Sequence, residues 1–263
     1  MGYYFTNAPG DVILREVNVN QLTEHKLTLY KDGDNWVLVE GKDYTFEERQ
    51  VNGHYEYIYK ILAKNFEEEG NYNIIASSKD KAANTNSNSA VKENDGSNEV
   101  PLRFAVDKTA PTNLITGVDM SKNKFTESQI VLNIEPQDNM NAVARFKVRV
   151  LDRKGNVLQE FEISGKELAE YFEEHNGIYQ LTVNQDTGWQ TIEILTTDAA
   201  GNESVDYSIE NNTAYRVLVT PNLFYQYIYR LPLVGATLAI IGGLFFLWFW
   251  KRKKDEEEKE AAK

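Results

Sequence analysis

The chain has 263 residues, of which 41% are apolar, and carries a net charge of −12. This composition supports packed domains, whereas the negative charge argues against the broad basic surface that binds a phosphate backbone, so we expect no nucleic-acid partner. The absence of cysteine excludes disulfides, thiolate metal ligands and a cysteine nucleophile. The sequence also has no Gly-rich phosphate loop and no nucleophile-elbow motif, so we expect a protein without enzymatic activity.

The first part of the chain is predicted to form short β-strands. Apolar residues alternate with polar ones, and turn signals at residues 31–34 and 51–53 separate the runs. The predicted strands are 12–19, 26–30, 55–61, 72–78 and 102–106. The polar stretch 84–99 is predicted to be a long solvated loop, and the acidic run 67–69 a solvated turn. This pattern predicts a first β-sandwich over residues 1–107.

A second series of strands follows a short connector. Pro111 favours an extended conformation at the residue before it, which suits a chain that enters a new edge strand. The predicted strands are 130–134, 146–151, 157–163, 179–183, 191–197 and 215–219, with a hairpin turn at 152–156. A short helix is expected after Ser164, because Glu167 follows three residues later and Leu168 begins an apolar face. We therefore predict a second β-sandwich over residues 108–220.

The two predicted sandwiches contain the same motif. In each copy a Gly precedes an Asp by ten residues, and an Asn follows that Asp by four (Gly70, Asp80 and Asn84; Gly188, Asp198 and Asn202). The Asp is expected to bond backbone amides at the end of a strand while the residue before the Asn adopts a left-handed conformation. Gly201 suits that conformation, whereas the β-carbon of Ala83 disfavours it.

Loop residues near the connector include oxygen-bearing side chains that suit calcium. Asp107, Asp138 and Asp198 are the candidate ligands, with Asp119 and Asn202 nearby in sequence or motif. Extracellular modules commonly use weak calcium sites with oxygen ligands to stiffen domain junctions. Turn chemistry alone explains each of these residues equally well. We predict no other cofactor and no catalytic residue.

Several segments resemble a known family. They are Glu-Gly-Asn-Tyr at 69–72, Ser-Ser-Lys-Asp-Lys-Ala at 77–82, Phe-Ala-Val-Asp-Lys-Thr-Ala-Pro at 104–111 and Asp-Ala-Ala-Gly-Asn at 198–202. Together they resemble the bacterial immunoglobulin-like repeats of large surface proteins of Gram-positive, clostridia-like bacteria. The resemblance implies an all-β chain with two tandem Ig-like β-sandwich domains at a cell surface, and it says almost nothing about a ligand.

The C-terminal part is predicted to be a membrane anchor. Residues 231–250 contain no charged residue, and as a helix they would span about 30 Å, the thickness of a bilayer core. Four cations follow at 251–254, which places that side in the cytoplasm. We therefore predict a juxtamembrane segment at 221–230, a single transmembrane α-helix at 231–250 and a charged cytoplasmic tail at 251–263. The domains before the span would be extracellular, and the lipid bilayer would be a partner.

The segment 231–235, Leu-Pro-Leu-Val-Gly, permits a different mode of attachment. It resembles a sortase sorting signal in which Val234 replaces the expected Thr. The apolar run and the basic cluster are needed by either mechanism, so they do not discriminate between a permanent anchor and a degenerate sorting signal.

These features lead to three functional hypotheses. The first is a non-enzymatic surface stalk, or anchor, that presents a missing N-terminal domain, since residues 1–11 do not resemble a secretory signal. The second is an adhesin-type module that binds a glycan, a host protein or a cell-wall polymer. Aromatic residues at 36, 55, 57 and 59 offer a platform for such a ligand, although alternate aromatics on a strand are also typical of a core. The third is the C-terminal anchor of a surface enzyme.

Overall fold

The first half of the chain is built almost entirely from β-strands. The structure, a computed structural model, describes residues 3–88, 102–140, 142–228 and 231–261. The strands of the first half are β1 Tyr3–Phe5, β2 Val12–Asn18, β3 Leu22–Lys31, β4 Asp34–Val37, β5 Tyr44–Val51, β6 His54–Ile61, β7 Gly70–Asp80, β8 Thr85–Ser87 and β9 Leu102–Val106. One turn of 3-10 helix, Ala63–Phe66, lies between β6 and β7.

These strands form two sheets that share one core, which we call the first unit. One sheet has the order β1-β9-β7-β3-β4, with β8 paired to β7, and the other has the order β2-β6-β5. Apolar residues recur at every second position of β3, β6 and β7, so one face of each sheet is apolar. The core includes Leu27, Leu29, Tyr57, Tyr59, Ile61, Phe66 and Ile74.

The second half repeats this arrangement with different strands, and we call it the second unit. Its elements are β10 Thr112–Thr116, β11 Lys124–Phe125, β12 Gln129–Gln137, β13 Val143–Leu151, β14 Val157–Ser164, α1 Gly165–Glu174, β15 Tyr179–Asn184, β16 Gln190–Asp198 and β17 Tyr215–Val219. One sheet has the order β10-β12-β15 and the other β11-β17-β16-β13-β14. Its core, which includes Leu132, Ile134, Phe146, Val148, Ile192 and Ile194, has no residue in common with the core of the first unit.

The prediction of an all-β architecture is confirmed for these two halves, and the predicted helix is present as α1. Ser164 stands at its N-terminus in an extended conformation but makes no capping hydrogen bond with its side chain. The predicted loop 84–99 is wrong at its beginning, because residues 85–87 pair with β7 as β8. Residues 89–99 lie outside the described residues.

Two helices follow the second unit: α2 Leu223–Ile228 and α3 Leu231–Ala261. The large apolar side chains of α3 between Leu238 and Trp250 are 54% to 67% exposed. Within the described residues, no helix combines the length and the apolar character needed to cross a membrane.

The structure therefore does not support the transmembrane helix predicted at 231–250. The side chains at 231–234, 236 and 237 lie outside the described residues.

Candidate metal centre

Three carboxylates from separate parts of the chain meet where the first unit joins the second. Asp107 directly follows β9, Asp138 directly follows β12, and Asp198 is the last residue of β16. One carboxylate oxygen from each of them lies within 4.8 Å of the other two. The structure thus brings together all three residues that were predicted from the sequence as candidate calcium ligands.

Asp107 is the most deeply buried member of this group, which we call the carboxylate cluster. Its side chain is inaccessible to solvent. Oδ1 accepts a hydrogen bond from the backbone N–H of Thr109 at 3.2 Å. Oδ2 is buried and accepts no hydrogen bond from any described residue. A buried acceptor left without a partner costs free energy, so this oxygen is available to a hydrogen-bond donor or a cation.

Asp138 is half-buried, and like Asp107 it has one carboxylate oxygen that accepts hydrogen bonds and one that does not. Oδ2 accepts hydrogen bonds from the backbone N–H groups of Met140 at 3.0 Å and Ala142 at 2.8 Å. Oδ1 is buried and has no hydrogen-bond partner among the described residues. One oxygen therefore shapes the loop, and the other is available to a ligand.

Asp198 is held by the repeated motif identified in the sequence. Its Oδ1 accepts from the backbone N–H groups of Gly201 at 2.7 Å and Asn202 at 2.9 Å. Its Oδ2 accepts from the side-chain amide of Asn202 at 2.7 Å. The same amide also donates to the backbone carbonyl of Asp107 at 3.0 Å, so one asparagine ties two members of the cluster together.

The electrostatics of the cluster are unfavourable without a cation. Burial, with a smaller contribution from the negative charges of Asp138, Asp198 and Glu69, raises the pKa of Asp107 from 3.8 to about 6. None of the three cluster aspartates forms an ion pair with a Lys or Arg among the residues that the structure describes. The neighbouring Lys108 instead donates its ammonium to the backbone carbonyl of Glu67 at 2.5 Å.

Glu69 brings a fourth carboxylate to the rim of the cluster from the first unit. It lies directly before β7, and its Oε2 accepts a hydrogen bond from the Thr109 hydroxyl at 2.9 Å. Its Oε1 contacts the side-chain amide of Asn139, the residue next to Asp138. Residues 67 and 68 are exposed, as expected of a solvated turn, whereas Glu69 is half-buried and bonds across the junction. The contact joins residues 70 apart, and no local pattern reveals it.

The geometry fits a hard divalent cation. Calcium lies about 2.4 Å from each of its oxygen ligands, so two oxygens that share one ion are at most about 4.8 Å apart. The cluster meets this limit for all three aspartates. Asp119, by contrast, lies outside the cluster, where it accepts from Ser121 and pairs with Lys122.

The aromatic platform considered for an adhesin does not form as a set. Tyr57 and Tyr59 are buried in the core of the first unit. An open groove of about 310 Å³ does lie beside β1, and its lining includes Tyr3, Tyr4, Tyr30, Asn73 and Arg103.

Comparison with known proteins gives structural similarity only. No protein-family model matches the chain, and no curated protein matches it. Among solved structures it is similar to the Dpr2 Ig1-Ig2 protein in complex with DIP-Theta Ig1-Ig3, with 9% identity over 84% of this chain and 63% of that one, at a TM-score of 0.35. It is also similar to E. coli alpha-2-macroglobulin, with 11% identity, 84% and 14% coverage and a TM-score of 0.27.

A third similar structure is BcpA, the major pilin subunit of Bacillus cereus. The identity is 10% over 78% of this chain and 60% of that one, at a TM-score of 0.17. The chain spans less than two thirds of the length of each of these three proteins.

Proposed function

We propose that this chain is a surface spacer without catalytic activity. In this proposal the two units are Ig-like domains that are joined end to end with little freedom to bend, and the apolar segment 231–250 holds them outside a cell membrane. One observation carries the proposal: the connector between the two units is hydrogen-bonded to both of them.

The connector is short, and its first three residues make hydrogen bonds. Five residues, 107–111, separate the end of β9 from the start of β10. Toward the first unit, the backbone N–H of Asp107 donates to the carbonyl of Phe5 at 2.9 Å, and Thr109 donates to Glu69. Toward the second unit, the carbonyl of Asp107 accepts from Asn202. A segment with bonds on both sides bends less than a free linker of the same length.

The membrane part of the proposal is supported by sequence and by exposure. Residues 231–250 carry no charge, and the described apolar side chains there are exposed all around α3, where water would be a poor solvent for them. The guanidinium of Arg252 lies 5.6 Å from the ring centre of Trp248, which pairs a cation with an aromatic residue as at a membrane interface.

A second candidate function is favoured by the groove beside β1. Its tyrosines, together with Asn73 and Arg103, combine apolar rings with hydrogen-bond donors, which suits a glycan ligand. We propose this adhesin function only as the alternative. Screening of the full chain against a glycan array tests it, and a Tyr30→Ala variant should lose any signal that comes from this groove.

The spacer proposal is tested by measuring the distance between the two units. The chain has no cysteine, so Lys42→Cys and Glu210→Cys, one exposed position in each unit, accept two spin labels without background. Pulsed electron-spin resonance in buffer with calcium should show one narrow distance distribution. A control variant with four Gly-Ser residues inserted after Thr109 should show a broad one. A broad distribution in the parent protein would overturn the proposal.

A further inference from the structure

We propose that the carboxylate cluster is a calcium site that locks the junction between the two units. Asp107, Asp138 and Asp198 are the ligands, and Glu69 lies at the rim. This inference deepens the proposed spacer function by naming an ion that controls its stiffness, and it does not depend on membrane attachment.

The unpartnered oxygens distinguish this cluster from an ordinary group of surface acids. Asp107 is completely buried, and its Oδ2 has no hydrogen-bond donor among the described residues. The buried Oδ1 of Asp138 is in the same state. Each of these side chains uses its other oxygen to bond backbone amides, so the free oxygens are fixed in place before any ion arrives.

The equivalent motif in the first unit provides an internal comparison. Asp80 stands at the same position of the repeat as Asp198, and its carboxylate accepts from Asn84 and the backbone N–H of Ala82. The side-chain amide of Asn20 donates to Asp80 at 3.0 Å, and no other carboxylate joins it in a cluster among the described residues. The turn therefore forms without a cation, and only the copy at the junction gathers additional acids.

The chemistry of the ligands selects the ion. All of them are carboxylate oxygens, with no His or Cys, which favours a hard cation over zinc or copper. Magnesium usually keeps several of its waters, whereas calcium accepts six to eight oxygen ligands in irregular geometry. A completely buried ligand such as Asp107 leaves little room for a hydrated ion, so the site suits calcium better than magnesium.

The position of the ligands explains how calcium binding would restrict bending between the two units. Asp107 belongs to the connector, whereas Asp138 directly follows one strand of the second unit and Asp198 ends another. Glu69 belongs to the first unit and contacts the residue next to Asp138. A bound ion would therefore tie the connector to the second unit and draw the acidic rim of the first unit toward it.

Isothermal titration of the full, detergent-solubilised chain with calcium alone, after chelator treatment, tests the inference. We expect one saturable site per chain and at least tenfold weaker binding in Asp138→Asn. Asp119→Asn, an exposed aspartate outside the cluster, is the matched control and should bind like the parent. Because Asp138→Asn risks a folding defect, Glu69→Gln is a second variant, for which we expect weaker binding with an unchanged circular dichroism spectrum.

Three outcomes would overturn the inference: no saturable binding up to about 5 mM calcium, equal affinity in Asp138→Asn and the parent, or magnesium binding as tightly as calcium. The labelled protein described above separates the two proposals. Calcium binding with a broad distance distribution refutes the spacer and the locking role of the ion, but it leaves the binding site itself standing. A narrow distribution without calcium binding refutes the ion site but not the spacer.

Discussion

A tight turn built on one aspartate and one asparagine occurs three times in the part of the chain that the structure describes. In each case the Asp carboxylate accepts from the backbone N–H and the side chain of an Asn four residues later, and the Asp N–H donates to the carbonyl of that Asn (Asp80 with Asn84, Asp152 with Asn156, Asp198 with Asn202). The residue before the Asn has a positive φ in all three, 68° at Ala83, 86° at Gly155 and 96° at Gly201. The turn thus forms at Ala83 despite its β-carbon, at a cost in strain.

Substitutions at the residue before the Asn should change the free energy of unfolding in opposite directions in the two repeats. Ala83→Gly should stabilise the protein by about 1 kcal/mol, because it removes the β-carbon from a left-handed conformation. Gly201→Ala should destabilise it by about the same amount. No atom lies within 4 Å of a β-carbon built on Gly201, so backbone strain alone sets that cost. Urea denaturation measures both changes, and a loss of stability in Ala83→Gly would contradict the strain argument.

The hydrogen bonds of Asp80 should also make folding sensitive to acid. Bonds from the side chains of Asn84 and Asn20 lower the pKa of Asp80 below its ordinary 3.8 in the folded state. Its contribution to stability is therefore complete above pH 3.8 and is lost as the pH falls through the lowered folded value. We expect Asp80→Asn to lose less stability than the parent between about pH 5 and pH 2. Thermal melts across that range measure this, and parallel curves for the two proteins would refute it.

The individual residues of the carboxylate cluster were partly predictable from the sequence. Asp107, Asp138 and Asp198 each follow or end a strand, so their position at loop entrances is visible in the chain. That the three loops meet at one point depends on the packing of the two units, which no local spacing encodes. Glu69 was missed because its partners, Thr109 and Asn139, are distant in sequence.

Among the elements, the longer strands with alternating apolar residues were predicted, whereas two exposed edge strands and the short β10 were not. β13 and β16 alternate between buried and partly exposed residues, and the sequence shows this period. β4 is exposed at all four of its residues, and β5 carries five consecutive exposed residues. Both are edge strands, held to the sheet by backbone hydrogen bonds to one neighbouring strand. Because their side chains are mostly exposed, hydrophobic periodicity does not reveal them.

The 3-10 turn between β6 and β7 contributes a core residue that tests the independence of the units. Phe66 is completely buried, with its ring centre 5.5 Å from Tyr72 and 5.1 Å from Phe104. Phe66→Ala should cost about 3 to 5 kcal/mol through lost contacts and a cavity. Because the two cores share no residue, we expect this loss to lower one of two calorimetric transitions.

Leu132→Ala is the matched variant in the second unit, since Leu132 is also completely buried. It should cost about 2 to 5 kcal/mol and lower the other transition. Scanning calorimetry of both variants and the parent makes the comparison. A single transition that shifts equally in both variants would show that the chain unfolds as one domain, contrary to the predicted boundary at residues 107 and 108.

For the whole molecule, the proposed spacer function needs a stiff junction and a fixed base, and we assign these two properties to different parts of the chain. In this proposal, stiffness depends on the hydrogen-bonded connector and on the carboxylates around it. The proposed base is the apolar segment 231–250, whose sequence has the length and flanking cations expected of a membrane anchor. The two properties can therefore be removed separately, by a change at the junction or by a charge in the apolar segment.

The last prediction concerns the proposed attachment of the chain to a membrane. In cells, the full chain should stay with the membrane fraction through a carbonate wash, and protease added outside should remove the two units but spare the tail after residue 250. Ile240→Asp combined with Leu244→Asp should release the chain, because each carboxylate at the centre of a bilayer costs about 2.5 to 3.5 kcal/mol. Leu244→Ile is the control and should remain attached. Extraction of the parent by carbonate would refute the anchor, and a mature C-terminus within 231–235 joined to cell-wall peptide would identify sortase processing instead.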